Sequence, residues 1–294
     1  MGPERPGDWD AMLAAPHDGP MDNTKHAVAA TGLLVAAMRA EESVRDDALF
    51  HDPFAQRLAG EDGRRLLAEA TAETGQPSAP IVVRTRLYDE ALVRVGASQT
   101  VILAAGMDAR SYRLRWPKGT TVFEVDQPHV MAIKDERLAG EKPRCRRVAV
   151  GVDLADDWPK ALEVQWFNPE VPTIWLIEGL LQYLEASAVD QLFARVDALS
   201  APGSVLLYDV VGTALLNAPF SEAILAYMEK LGAPWVFSSD TPAALVEKHG
   251  WSATVIDMAV PGNTRKRWAH PPVPADVPNA ARGYFIEAMK RRGG

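Results

Sequence analysis

The sequence predicts an α/β protein: a mostly parallel, seven-stranded, Rossmann-like sheet with helices on both faces and a helical cap. Three observations predict it. Before about residue 98 the apolar residues recur at helical spacing. Beyond it, short β-rich runs alternate with helical stretches, which is the rhythm of βαβ units. Acidic residues stand at or just after the ends of successive runs, where doubly wound sheets carry their ligands.

The elements follow in order. Met1 to Pro20 is rich in Pro, Gly and Asp, has no apolar run, and reads as a disordered leader and not a signal peptide. Thr24 to about Glu42 suits a helix, with Val28, Leu33, Leu34, Ala37 and Met38 on its apolar face. His51-Asp52-Pro53 predicts a helix start, with Asp52 as cap and Pro53 in the first helical position, continuing over Ala55 to Ala72. Gln76-Pro77-Ser78-Ala79-Pro80 breaks the chain. A helix from Ile81 to Val95 then buries Val82, Leu87, Ala91, Leu92 and Val95. Residues 21–98 are accordingly expected to form an N-terminal helical extension or cap, and residues 99–294 the α/β domain. Its expected strands are Thr100–Ala104, Thr121–Val125, Arg147–Val150, Thr173–Ile177 and Ser204–Val210. Ala253–Met258 and Tyr284–Ala288 are candidate edge strands, the second also compatible with a helix. Between strand five and the first of these, a lid insertion is expected at about 211–250, because Leu215, Leu216, Phe220, Ile224, Tyr227, Met228, Trp235 and Phe237 crowd into the stretch after strand five. Ordinary packing of an added helix is the competing explanation.

Composition narrows the function. The chain is 47% hydrophobic, enough for a sizeable core, and its formal net charge of −8 disfavours general nucleic-acid binding. Ala27 to Met38 is too short and too quickly followed by charge to span a bilayer. Cys145 is the only cysteine, so no intrachain disulfide forms, in keeping with a cytoplasmic protein. A monomer or homodimer is expected. The six histidines, His17, His26, His51, His129, His249 and His270, show no ligand-type spacing, so no metal site is expected. No Gly-x-Ser-x-Gly elbow is present, which argues against a serine hydrolase.

The strand ends carry the site signal. Strand one ends in Leu103-Ala104-Ala105-Gly106-Met107-Asp108, strand two in Glu124-Val125-Asp126; Asp153-Leu154 follows strand three and Glu178-Gly179 follows strand four. Asp126 lies twenty residues after Gly106, a spacing suited to an acid that accepts ribose hydroxyls. Of Glu124 and Asp126, the second is the expected ligand-binding acid. A dinucleotide also needs a glycine-rich cradle for its pyrophosphate, whereas this turn holds Gly106 alone and places Asp108 at the helix start. S-adenosyl-L-methionine has no phosphate and carries a sulfonium and an ammonium group, so charge complementarity favours it over NAD. Asp108 and Asp153 have a competing reading as helix caps. Glu178, after the apolar run Ile174-Trp175-Leu176-Ile177, needs a partner or a cleft.

At these residues the chain resembles the leucine carboxyl methyltransferase family. The motifs that carry the resemblance are Leu103 to Arg110, Phe123-Glu124-Val125-Asp126-Gln127-Pro128, Ala36 to Glu41, Phe50 to Ala55, Arg84-Thr85-Arg86 and Ile177-Glu178-Gly179-Leu180-Leu181-Gln182-Tyr183-Leu184. The resemblance runs from about residue 22 to the C-terminus and implies a class I methyltransferase sheet. It also implies roles: Arg84 on the methionine carboxylate of S-adenosyl-L-methionine, the turn of Ala104 and Gly106 beneath the methionine part, and Asp126 on the ribose. Asp153 and Leu154 would frame the adenine and Glu178 would sit near the methionine amine; Lys25 is a further cofactor contact by the same resemblance. The family usually has glycine at the position of Ala104, and alanine there adds a methyl group near the cofactor.

The resemblance implies O-methylation, with S-adenosyl-L-homocysteine as product. The expected acceptor is a bulky, partly apolar small-molecule carboxylate of natural-product or polyketide type. A carboxylate is already ionised near neutral pH and needs donors but no base, whereas a phenol or alcohol needs a base or a metal. Tyr183 and Arg86 are the residues expected to hold the acceptor; a core tyrosine and a surface salt bridge are their competing readings. The alternatives are methylation of a hydroxyl, methylation of a peptide or protein C-terminal carboxylate, and, from a different class, an NAD-dependent oxidoreductase.

Overall fold

The computed structural model describes residues 20–75, 78–268 and 271–291, and, at 20–26 and 29, the backbone without the side chains. The expected leader therefore lies outside the described residues except for Pro20, as do the Lys25 side chain, His17 and His270.

Three helices come first: α1 (Pro20–Ser43), α2 (Ala55–Thr74) and α3 (Ala79–Val95). Asp52 does not open α2 as a conventional cap. Its Oδ1 accepts the Phe54 amide at 3.1 Å and its carbonyl accepts the Ala55 amide, so the helix begins two residues later than the Asp-Pro signal predicts. The other carboxylate oxygen is occupied by Arg39 at 3.2 Å, and the side chain is fully buried. A long-range ion pair has taken the residue that local sequence marked as a cap. On α3, Val82, Ala91 and Leu92 are buried as expected, while Leu87 and Val95 are half-buried.

The sheet follows: β1 (Gln99–Leu103), β2 (Thr121–Asp126), β3 (Arg146–Gly151), β4 (Thr173–Ile177), β5 (Val205–Val211), β6 (Trp251–Asp257) and β7 (Gly283–Lys290). The strand order is β3-β2-β1-β4-β5-β7-β6, with β7 antiparallel to both β5 and β6 and the other pairs parallel. The segment 284–288, ambiguous in sequence, is a strand because it fills the slot between β5 and β6, where Phe285 faces one side of the sheet and Ile286 and Ala288 pack into the core on the other and beside it. The short connecting helices are α4 (Arg110–Arg113), α5 (Pro128–Arg137), α6 (Trp158–Val164), α7 (Ala186–Ala198), α8 (Thr213–Leu216), α9 (Glu222–Lys230), α10 (Ala244–Glu247) and α11 (Ala259–Thr264).

β1 and β4 are buried at every residue, as central strands covered on both faces must be. Alternation along the strands separates two cores. Ile102, Val122, Ile174, Leu176, Val205 and Leu207 pack beneath α1, α2 and α3. Val101, Leu103, Trp175, Ile177, Leu206 and Tyr208 pack on the other side against α6 and α7. No helix among the described residues is long and apolar enough to cross a membrane.

Candidate active site

The carboxyl ends of β1, β2, β4 and β5 open into a cavity of about 1260 Å³, larger than the roughly 300–1,000 Å³ that one small ligand usually occupies. Arg84, Ala104, Gly106, Asp126, Asp153, Leu154, Glu178 and Tyr183 all line it. The topology thus brings together at one edge of the sheet residues from α3, β2 and the connections after β1, β3 and β4. Opposite them, Val28, Val35 and Met38 of α1, Ile224 and Met228 of α9, and Trp235 form apolar walls.

The turn after β1 leaves the strand through two residues in the left-handed region, Ala104 at φ +52° and Gly106 at φ +42°. The Gly106 amide donates to Asp126 Oδ2 at 2.7 Å, and the Gln127 amide to Oδ1 at 2.7 Å. These two bonds aim the Asp126 carboxylate at the turn and bind β1 to β2. Burial pushes its pKa above the ordinary value, opposed by those amides. Glu124, two residues earlier on the same strand, is fully buried and away from the cavity; it accepts Ser111 Oγ at 2.6 Å and pairs with Lys134 and Arg147. Of the two acids on β2, Asp126 reaches the cavity and Glu124 ties α4, α5 and β3 together.

Asp108 is engaged within its own turn: its Oδ1 accepts the Arg110 amide at 2.6 Å and its Oδ2 the Arg110 guanidinium. Burial raises its pKa, but the charges of Arg110, Lys134, Arg39 and Arg113 prevail and hold the carboxyl well below the usual range. Arg110 also donates to Glu178 Oε2 at 2.6 Å and Asp89 Oδ1 at 2.7 Å. Arg84 donates from Nε to Glu178 Oε1 at 3.0 Å and from Nη1 to Asp209 Oδ2 at 3.2 Å. Arg113 pairs with Asp89 at 2.5 Å and with Asp52 at 3.7 Å, and Arg39 with Asp52. Arg39 Nη2 further donates to Met107 O at 2.6 Å, fastening α1 over the turn.

These contacts form one connected network of four guanidinium groups and five carboxylates, none with a side chain more than 11% exposed. Fully ionised, the described members carry one negative charge in excess, and Asp126 stands beside them as another anion. Such a site complements a ligand with a net positive charge and opposes a pyrophosphate.

Sequence reasoning missed Asp209, Asp89, Arg39, Arg110 and Arg113 as site residues. Arg39 and Arg110 lie within the motifs that carry the family resemblance, and Asp209 is a single charge within the strand Val205-Leu206-Leu207-Tyr208-Asp209-Val210-Val211. The expectation for Arg86 is corrected. It does not line the cavity; it pairs with Glu90 at 2.7 Å and donates to Leu49 O at 3.0 Å, with both charged side chains well exposed. Two residues along a helix turn a side chain by about 200°, so when Arg84 faces inward Arg86 faces out. Tyr183, in a 3₁₀ turn at Leu181–Tyr183, is half-buried, and its hydroxyl makes one weak contact, with Met228 Sδ at 3.9 Å. Leu215, Phe220, Ile224, Met228 and Trp235 of the segment after β5 line the cavity. Tyr227 instead packs against α2, with its hydroxyl on Leu66 O at 3.0 Å. Among the described residues no group of histidine, cysteine and acidic side chains is arranged to hold a metal ion.

Known proteins resemble this chain in sequence and in fold. The model of the leucine carboxyl methyltransferase family matches residues 32–197. A Mycobacteroides abscessus protein, named as a candidate S-adenosyl-L-methionine-dependent methyltransferase, is 39% identical over 271 residues, 82% of this chain and 89% of its own. A Rhodococcus jostii protein of the same designation is 46% identical over 211 residues, 65% of this chain and 69% of its own. Two crystal structures share the fold. One is a duf574 family protein of Streptomyces avermitilis, with TM-score 0.59 and 14% identity over 88% of this chain and 97% of that one. The other is a candidate methyltransferase of Thermobifida fusca, with TM-score 0.57 and 18% identity over 81% and 93%.

Proposed function

The chain belongs to the leucine carboxyl methyltransferase family and is an S-adenosyl-L-methionine-dependent methyltransferase, and we propose that it methylates a carboxylate oxygen of a bulky, partly apolar small molecule. The observation that carries the choice of acceptor is the make-up of the cavity wall. Among its described residues there is no histidine, lysine or cysteine, and the carboxylates of Asp108, Glu178 and Asp209 are engaged by arginines. An acceptor that must lose a proton finds only carboxylates there, Glu185 among them, and these are weak bases toward an alcohol or phenol, whereas a carboxylate acceptor arrives ionised.

The residues present suit the cofactor. A Cβ on Gly106 would meet only Ala104 O, at 3.9 Å, so this glycine is not demanded by packing and leaves open room on the cavity side. Asp126 would hold the ribose hydroxyls, with Asp153 and Leu154 framing the adenine. Arg84 and Glu178 would take the carboxylate and amine of the methionine part, over the turn of Ala104 and Gly106. When bound, the cofactor supplies a methyl group on a sulfonium, taken by the acceptor oxygen in an in-line displacement whose leaving electron pair stays on sulfur. The protein's part is then to orient and to exclude water. Tyr183 would donate its hydroxyl to the acceptor oxygen that is not methylated. The segment 211–250 would act as a lid whose apolar residues, with those of α1, hold the body of the acceptor.

The test is to incubate the protein with methyl-labelled S-adenosyl-L-methionine and a panel of apolar acids, alcohols and phenols. A base-labile label released as methanol is the expected result; a base-stable methyl ether would overturn the carboxylate reading. Calorimetric titration with S-adenosylhomocysteine and NADH tests the cofactor itself, and binding of NADH alone would be decisive against it.

A further inference from the structure

A carboxylate set in an apolar strand needs a physical reason, because burial without partners is costly. Asp209 is such a group. It stands on β5 between buried Tyr208 and Val210, and alternation turns it with Val205 and Leu207 toward α3. Burial pushes its pKa up, against the pull of Arg84 and the Gly179 amide, so the position is held at some cost.

Its contacts converge on one side chain. Oδ2 accepts Arg84 Nη1 at 3.2 Å, while Oδ1 accepts the Gly179 amide at 2.8 Å and the Tyr88 hydroxyl at 3.4 Å. Gly179 is left-handed, at φ +67°, and a Cβ built on it would lie 2.8 Å from Nη1 and 2.9 Å from Nη2 of Arg84. The guanidinium therefore lies against the bare backbone of the turn that Asp209 anchors. Glu178 fixes Nε from a further direction. With Nε and Nη1 occupied by carboxylates, Nη2 is the remaining donor nitrogen.

We propose that Asp209 is a positioning residue: it sets both the Gly179 turn and the plane of the Arg84 guanidinium, so that Arg84 presents Nη2 to the carboxylate end of the cofactor. The inference rests on the assignment of Arg84 to that carboxylate. It predicts a selective effect. Asparagine at 209 keeps a carbonyl oxygen for the Gly179 amide but removes the charge that holds Nη1. Ligands carrying the amino-acid part should suffer, and ligands without it should not.

The experiment is calorimetric titration of the full chain and its Asp209→Asn variant with S-adenosylhomocysteine and with 5′-methylthioadenosine, which shares the nucleoside and sulfur but lacks the amino acid. Wild type should bind S-adenosylhomocysteine the more tightly. In D209N that affinity should fall about tenfold to a hundredfold, the scale of a lost charged hydrogen bond, with 5′-methylthioadenosine within about twofold of wild type. Adding D209N to Arg84→Ala should cost S-adenosylhomocysteine little more than Arg84→Ala alone, because both act through the same group. Equal loss of both ligands, loss of neither, or an additive double variant would overturn the proposal. If D209N does not fold, Asp209→Glu, which keeps the charge and displaces it by one methylene, is judged by the same selectivity. A wild type that binds S-adenosylhomocysteine no more tightly than 5′-methylthioadenosine removes the assignment of Arg84, and the proposal with it.

Discussion

Ala104 holds a conformation that suits glycine better, and the consequence is measurable. At φ +52° its Cβ crowds the following carbonyl, a left-handed penalty of about 1–2 kcal/mol for an L-residue. Replacing it with glycine removes that penalty but adds about 0.5–1 kcal/mol through the greater freedom of the unfolded chain. The difference leaves Ala104→Gly about 0–1.5 kcal/mol more stable, with the midpoint near 0.7 kcal/mol. In a chain of this size 1 kcal/mol moves Tm by about 2–4 °C, so a rise of about 1–3 °C is expected. The companion Ala104→Val adds β-branching at positive φ and should lose at least about 1 kcal/mol. Thermal melts followed by circular dichroism read both. Ala104 also lines the cavity, so loss of its methyl group should leave S-adenosylhomocysteine affinity unchanged or improved. A melting point lowered by glycine, or unmoved by valine, would refute the reasoning. It would mean that contacts of the Ala104 methyl group outweigh the backbone strain.

Three other perturbations separate parts of the site. Gly179→Ala places a Cβ 2.8 Å from the Arg84 guanidinium and strains a residue at φ +67°; S-adenosylhomocysteine affinity should fall at least about tenfold, with about 1–2 kcal/mol of stability lost, by calorimetry and thermal melts. On the proposed ribose assignment, Asp126, its pKa raised by burial, would accept both ribose hydroxyls fully only as the carboxylate. Cofactor affinity should therefore fall as pH drops through the Asp126 pKa, which burial raises above its ordinary value, and Asp126→Asn should bind weakly with no pH dependence there; a wild-type affinity flat from pH 7 to pH 4 would count against the ribose assignment. Arg86→Ala should cost less than about 1 kcal/mol, since it breaks an exposed i,i+4 pair, and should leave S-adenosylhomocysteine binding within about twofold; a large loss of binding would return Arg86 to the site.

Local pattern was enough for the sheet. The central strands, buried on both faces, are apolar at nearly every residue, and turn or helical residues bound each one, so the expected edges fall within two residues of those observed. The strand ends were legible too, because the topology sets Gly106, Asp126, Asp153 and Glu178 side by side whatever the loops do. Two local signals were misleading for a shared reason. Asp52 precedes a proline and looks like a cap, and Arg86 sits in the Arg84-Thr85-Arg86 motif and looks like a site residue. In each case the side chain is governed by a partner or a facing direction that its neighbours in sequence do not specify.

The ion network shows why the remainder was hidden. Its members come from α1, the loop before α2, α3, the turn after β1, α4, and the ends of β4 and β5, and Arg84 and Asp209 are 125 residues apart. No window of sequence contains an Arg84–Asp209 pair, and each charge alone resembles any surface charge. What sequence does contain is a constraint: an acid amid the apolar residues of β5 cannot be left unpaired. A search for that violation in each strand would have found Asp209, although not its partner. The same constraint explains why the network is made of arginines. A guanidinium has donors on three nitrogens in a fixed plane, so Arg110 can serve Asp89, Asp108 and Glu178 at once. Lysine, with one nitrogen, could neutralise the charge but not hold three carboxylates in a set geometry. The carboxylates of Asp108, Glu178 and Asp209 at the cavity are thereby held in set positions by guanidinium groups, in an arrangement that complements a cationic cofactor.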